Sequence, residues 1–368
     1  MVLNILQVGE QENWKRRHQH RPLSSNAKRE LETKHIGYSY FLRFNTRHPQ
    51  LKRKTQGNVS VTRGLRCTLE TAIEYIDDLA AVLIKIGIAP DLVKEVPGVW
   101  NGAVDLSRIW AHDETPQFIN YNASGQSKKY VYAGSGHDCN KVTKENHECV
   151  TVQPFSNFAG EMAMCQVILS ESGLNSQMCP LIAAGRIDNL IVSVNESGCS
   201  TGETLLAAYK ELTKIIERKK GARSVLEMDV VVADGHKSHF NVNFMSHCDE
   251  NSLDQFKLPP DTSGVTQMHD QINQYLHSCY KNKKSDMYSE YADLNKECFM
   301  NILAKIWDQW ARPERICKAG KHVGVSKDGL SANWMDKNKF EQAAAILSPS
   351  TPNKTTGAIA IIKTPEGV

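Results

Sequence analysis

The stretch Val225–His239, V-L-E-M-D-V-V-V-A-D-G-H-K-S-H, decides how this chain is read. Its centre is a run of β-branched residues, too short for a typical helix, and it stops at the turn pair Asp234-Gly235. Such a run predicts a buried strand over Val225–Ala233 that delivers an aspartate at its carboxyl end. A second apolar run, Leu106–Asp113, ends the same way in W-A-H-D-E-T. A third aspartate, Asp270, stands near the start of a helical pattern in L-P-P-D-T-S-G-V-T-Q-M-H-D-Q, from Leu258. Two strand ends and one helix can bring three carboxylates to a pair of divalent cations, which is the chemistry of phosphodiester hydrolysis and strand transfer.

Working outward, Tyr130–Ala133, Cys149–Val152, Met164–Leu169 and Ile187–Val194 read as strands. Thr201–Ile216 reads as a helix, with Leu205, Leu206, Tyr209, Leu212 and Ile216 on one side. Met268–Tyr280 and Leu294–Trp310 carry the same periodicity. Thr68–Ile88 is the best helix in the chain, with Thr68 as N-cap and Gly87 and Pro90 as stop signals. It is expected to pack on the body or to link it to DNA-binding parts. Strands, helix, strand, helix is the order of an RNase H-like α/β fold, a mixed sheet flanked by helices.

A chain of 368 residues with 40% hydrophobic and 23% charged content can bury a substantial core. The net charge of +3 is uneven: residues 1–64 hold 13 Lys/Arg against 4 Asp/Glu, or +9, which leaves −6 for the rest. A basic arm on a mildly acidic body suits contact with a polyanion at one end, although such arms are often only solvated tails. The ten cysteines include no C-x-x-C pair. With no signal-peptide pattern at Met1–Val8, reduced intracellular thiols are expected. No apolar stretch nears the ~20 residues of a membrane helix, so no membrane partner is expected.

The three acids with their flanks resemble the DDE-superfamily endonuclease domain of pogo/Tigger-type transposases, relatives of the jerky proteins and centromere protein B. The matching residues are Asp113, Glu114 and Thr115; then Asp234, Gly235, Ser238 and His239; then Leu258, Pro259, Pro260, Thr262, Ser263, Gln267 and Asp270. K-K-Y-V-Y-A-G from Lys128, E-C-V-T-V from Glu148 and R-H-P-Q-L from Arg47 also fit, so the likeness spans about residues 38–345. Pro116 stands where that family usually has Gly, so the loop beyond Asp113 is expected to differ. Tyr38–Pro49 resembles the closing helix of the family's helix-turn-helix, a short basic helical remnant.

The resemblance implies an enzyme, a metal-dependent DNA endonuclease and strand transferase with Asp113, Asp234 and Asp270 as catalytic and metal-binding residues. It implies two Mg²⁺ or Mn²⁺ ions, DNA as partner, a homo-oligomer on paired DNA ends, no small-molecule cofactor, and nuclear location in a eukaryote or an intracellular one otherwise. The expected division is residues 1–64 as basic arm with the helix-turn-helix remnant, 65–100 as linker helix, 101–345 as DDE domain and 346–368 as a disordered tail. Lys15, Arg16, Arg17, Arg21, Arg43, Arg47, Lys52, Arg53 and Lys54 are the expected DNA contacts, made to phosphate and weakened by salt.

Blander readings stand beside these. Taken singly, each aspartate is more simply a turn or cap residue, and order and spacing together favour catalysis. Glu114 suits a hydrogen-bond network better than metal ligation. Ser238 and His239 suit a cap, and Pro259-Pro260 a rigid turn. His137-Asp138-Cys139 and His147-Glu148-Cys149 lack the spacing of common zinc modules. No cysteine is paired with a base for nucleophilic chemistry. A DNA- or chromatin-binding protein that keeps the fold without cleavage is the alternative function; an RNase H-fold nuclease with another substrate is a third.

Overall fold

The structure, a computed structural model, describes residues 46–47, 66–119, 149–171, 189–220, 227–235, 242–287, 294–337 and 339–340. The basic arm apart from Thr46 and Arg47, the strand expected at Tyr130–Ala133, and the tail lie outside the described residues. Ser60–Leu347 forms one compact unit.

The unit opens with α1 (Leu69–Lys85). Its N-cap is Thr68, whose hydroxyl accepts from the Thr71 amide, and Ala72, Tyr75, Ile76, Leu79, Ala80 and Leu83 are buried. This helix is therefore packed into the body. A hairpin follows, β1 (Val93–Val96) and β2 (Val99–Asn101). Its turn is Pro97-Gly98, with Gly98 at φ 73°, the Pro-then-Gly order of a type II turn. A 3₁₀ turn at Leu106–Arg108 then leads into β3 (Ile109–His112). The apolar run predicts strand from Leu106, but residues 106–108 form the turn instead. The chain bends there because the Asp105 carboxylate accepts from the Ser107 amide at 3.2 Å, and the Arg108 guanidinium is drawn inward to donate to the carbonyls of Gly87 and Met228.

Next come β4 (Thr115–Phe118), β5 (Cys149–Asn157), β6 (Met162–Ser170), β7 (Leu190–Asn195), α2 (Gly202–Lys220) and β8 (Asp229–Ala233). The chain continues through α3 (Val242–Glu250), β9 (Leu253–Lys257), the short α4 (Ser263–Thr266), α5 (Met268–Met287), α6 (Lys296–Trp310), α7 (Pro313–His322), β10 (Val325–Ser326) and β11 (Gly329–Ser331). The main sheet has the order β7-β6-β5-β3-β8-β9, with β4 pairing on β5. β5 runs antiparallel to β3 and β6, while β8 is parallel to both β3 and β9. An antiparallel β3-β5-β6 set extended through parallel β8 and β9, with helices between them, is an RNase H-like mixed sheet.

Strand alternation assigns the two faces. Ile109, Ala111, Val230 and Val232 belong to the core shared with α1, α5, α6 and α7. Trp110, Phe155, Met164 and Val231 pack with Leu205, Tyr209 and Leu212 of α2 and with Phe244 and Cys248 of α3. With both faces covered, β8 reads as an unbroken hydrophobic run rather than an alternating one. A second sheet, β1-β2-β11-β10, joins segments more than 200 positions apart, with Leu330 opposite Trp100.

Candidate acidic site

The parallel pairing of β3 and β8 matches Ala111 with Val232. Asp113 and Asp234 each lie two residues further on, so the aspartates leave adjacent strands at the same level. Counting by twos along both strands also gives them one face, the face of Ile109, Ala111, Val230 and Val232, against which α5 packs. Asp270 is in the first turn of α5.

The strand ladder opens at this point for a local reason. β3 pairs His112 with Phe155, and β4 resumes the same register with Thr115 opposite Val152. Asp113 therefore falls opposite Pro154, which has no amide hydrogen to give. Pro116 does not disturb the course of the chain: it is exposed in β4, opposite Thr151, where a proline is tolerated.

A seam of polar contacts fastens α5 along the β3–β4 line. Gln267 donates from Nε2 to the His112 carbonyl at 3.0 Å. One turn beyond Asp270, Asn273 directs Nδ2 at Asp113 Oδ2, 3.5 Å away. His277 meets Thr115 Oγ1 at 3.1 Å through Nε2 and Gln117 Nε2 at 2.7 Å through Nδ1. Positions 270, 273 and 277 share a helix face, so the contacts that hold the helix down also direct Asp270 toward the strand ends.

Electrostatics report that the acids lie near one another. Burial, and after it the charges of Asp270, Glu114 and Asp234, pushes the Asp113 carboxyl up to about 8, while a hydrogen bond from the Glu114 amide opposes the rise. A buried carboxyl raised by acidic neighbours suits a hard divalent cation in its donor type. Among the described residues, no three His, Cys, Asp or Glu side chains already converge on one point. The donors fit such an ion chemically, and side-chain closure would complete its shell.

Glu114 takes the opposite face, as alternation requires. Gln153 donates to Glu114 Oε1 at 3.4 Å and to His112 Nδ1 at 2.9 Å. With Nδ1 accepting, His112 carries its proton on Nε2, 2.9 Å from the Tyr209 hydroxyl. The His112 ring stacks on Phe155 with centroids 4.9 Å apart. Glu114 is thus a member of a hydrogen-bond network, as the sequence suggested.

Of the expected DNA contacts, Arg47 is described, exposed in a helical segment with Thr46; the other eight, Lys15, Arg16, Arg17, Arg21, Arg43, Lys52, Arg53 and Lys54, lie outside the described residues. So do Ser238, His239, His137, Cys139 and His147. Asp229, a possible decoy for the second acid, is 2% exposed at the far end of β8, where it accepts from Trp110 Nε1 and pairs with Lys220 at 2.9 Å. Gln153 and Asn273 carry no motif in the sequence, and Gln267 stands in the flank of the third acid without a role assigned to it. The only local signal for Asn273 is its spacing of three from Asp270.

No family model matches the chain, and no curated protein matches it. The structure is similar to that of a pre-cleavage Mos1 transpososome, at 10% identity and a TM-score of 0.44, covering 91% of this chain and 77% of that one. It is similar to the Mos1 mariner paired end complex with Mn, at 9% identity and a TM-score of 0.44, covering 86% and 73%. It is also similar to the Mos1 transposase catalytic domain with Raltegravir and Mg, at 9% identity and a TM-score of 0.39, covering 79% and 97%. The fold stands on the strand order and register above, and the chemistry is read from this chain's own side chains. Among the described residues, no helix is long and apolar enough to cross a membrane.

Proposed function

We propose that this chain is a DDE endonuclease and strand transferase of the pogo/Tigger type, acting on DNA through Asp113, Asp234 and Asp270 with two Mg²⁺ or Mn²⁺ ions. The observation that carries the reading is the register of β3 with β8, from which Asp113 and Asp234 follow just past the ends of adjacent parallel strands. The charges of Asp270 and Asp234, both felt at Asp113, support it.

In this reading, Asp113 and Asp234 bind from the strand ends and Asp270 from the first turn of α5. When bound, a divalent pair lowers the pKa of the attacking water or 3′ hydroxyl and offsets charge on the departing oxygen. Asp113 holds a proton near neutral pH in the metal-free protein and would give it up on binding a cation. Gln267 and the α5 seam keep the helix acid against the strand end while substrate enters. The basic arm contributes non-specific phosphate contacts. A homo-oligomer pairing two DNA ends, and nuclear location in a eukaryotic host, belong to the same proposal.

A second reading is a DNA- or chromatin-binding protein that keeps this fold without cutting. Supercoiled plasmid incubated with purified protein and Mg²⁺ or Mn²⁺ separates the two. Nicking that disappears in Asp113→Ala, Asp234→Ala and Asp270→Ala supports the enzyme. A folded wild-type protein that binds plasmid and leaves it intact supports the binding protein.

A further inference from the structure

The middle link of the α5 seam does something that holding the helix down does not require. Asn273 is 4% exposed, in the first half of a helix whose other buried positions, such as Ile272 and Leu276, are mostly apolar. Its Nδ2 faces Asp113 Oδ2 at 3.5 Å, and its Oδ1 is buried with no hydrogen-bond partner. A buried acceptor left without a donor is unfavourable, and an apolar residue at this place would avoid the cost. The flanking links, Gln267 to the His112 carbonyl and His277 to Thr115, already fasten the helix on either side.

We propose that Asn273 is a positioning residue for the acidic site. Its amide N–H orients the Asp113 carboxylate, and its Oδ1 receives a hydrogen bond from a water carried by the divalent ion. Spacing supports this, because Asn273 lies one turn past Asp270 on the same helix face and brings its amide to the acid that Asp270 also meets. An amide suits this place better than a fourth carboxylate, since it offers an oxygen without adding charge to a group of acids that already repel one another. The proposal rests on the metal-dependent reading given above.

The test is Mn²⁺ binding to the metal-free full-length protein, measured by calorimetry and by the electron paramagnetic resonance signal of free Mn²⁺. Asn273→Leu removes both polar atoms at similar volume, and Asn273→Ala removes them without risk of overpacking. Thermal melts without metal are recorded for each. The expected result is a Kd for Mn²⁺ raised about 10–100-fold in both variants, the usual effect of removing a group that orients a ligand. The metal-free melting temperature of Asn273→Leu should match or exceed that of wild type. Unchanged Mn²⁺ affinity in either folded variant, whatever its melting temperature, overturns the proposal and leaves a merely structural link. A wild-type protein that binds no Mn²⁺ overturns both this proposal and the reading beneath it.

Discussion

Replacing Asp113 by asparagine should make the metal-free protein more stable while removing its response to metal. The folded protein holds the Asp113 proton up to about pH 8, against an ordinary 3.8. The sign follows from linkage. Below pH 3.8 both states are protonated and Asp113 costs nothing. From there to about 8 the unfolded chain has lost a proton that the folded one keeps, so stability falls as pH rises, and above 8 the full penalty remains. At pH 7 the interval is 7 − 3.8 = 3.2. At about 1.4 kcal/mol per pH unit that is ~4 kcal/mol. Solvent on the open side of the site and relaxation of the neighbouring acids should reduce it to about 2 kcal/mol. Asparagine cannot ionise, so Asp113→Asn should recover most of this, about 4 °C in melting temperature for a unit of this size. The assay is thermal unfolding of both proteins in EDTA and in Mg²⁺ at pH 5, 7 and 9. In EDTA the two curves should lie closest at pH 5 and separate toward pH 9, with the variant higher. In Mg²⁺ the wild type should rise and the variant should not. A variant less stable than wild type at pH 9 in EDTA, or stabilised equally by Mg²⁺, would refute the reasoning.

Two further outcomes follow from other parts of the molecule. His269 is fully buried, with Nε2 3.1 Å from Ser156 Oγ, and burial lowers its pKa to about 3. Its neutral form contributes stability above the unfolded value near 6.5 that is lost as pH falls toward 3, so His269→Gln should flatten the acid limb of the stability curve by about 1.4 kcal/mol per pH unit, and an unchanged acid limb in urea melts would count against it. Gly329 has φ 145°, and a Cβ there would run into the Trp100 carbonyl across the β2–β11 pairing. Gly329→Ala should cost at least about 2 kcal/mol in denaturant unfolding, and a cost under about 0.5 kcal/mol would show that the pairing is looser than drawn.

Much of the fold could be read locally. β8 announces itself by consecutive valines, α1 by its cap and apolar stripe, and α2, α5 and α6 by helical spacing; all four helices and β8 appear where the pattern put them, within a few residues at the ends except that α5 runs on past Tyr280 to Met287. The hairpin β1–β2 was legible in Pro97-Gly98 and was not read. α3 escaped because its buried side is only Phe244 and Cys248, and β9 because its five residues include Asp254, Gln255 and Lys257. β4 and the β10–β11 pair are too short to carry a pattern of their own and exist because a partner strand is already in place.

The sequence by itself determined which residues could form the site: apolar runs ending in Asp113 and Asp234, and a helix opening near Asp270. These are local properties, set by side-chain type and spacing along a few turns or one strand. What the tertiary structure decided is which of them meet and from which side. The pairing of β3 with β8 puts Asp113 and Asp234 at one level, and a partner strand carrying Pro154 opposite Asp113 opens the ladder there. Strand parity sends Glu114 to the other face, and a contact across 160 positions brings Asn273 to Asp113. Register and facing arise from contacts between residues far apart in the chain, and no local pattern encodes which strand a strand will lie beside.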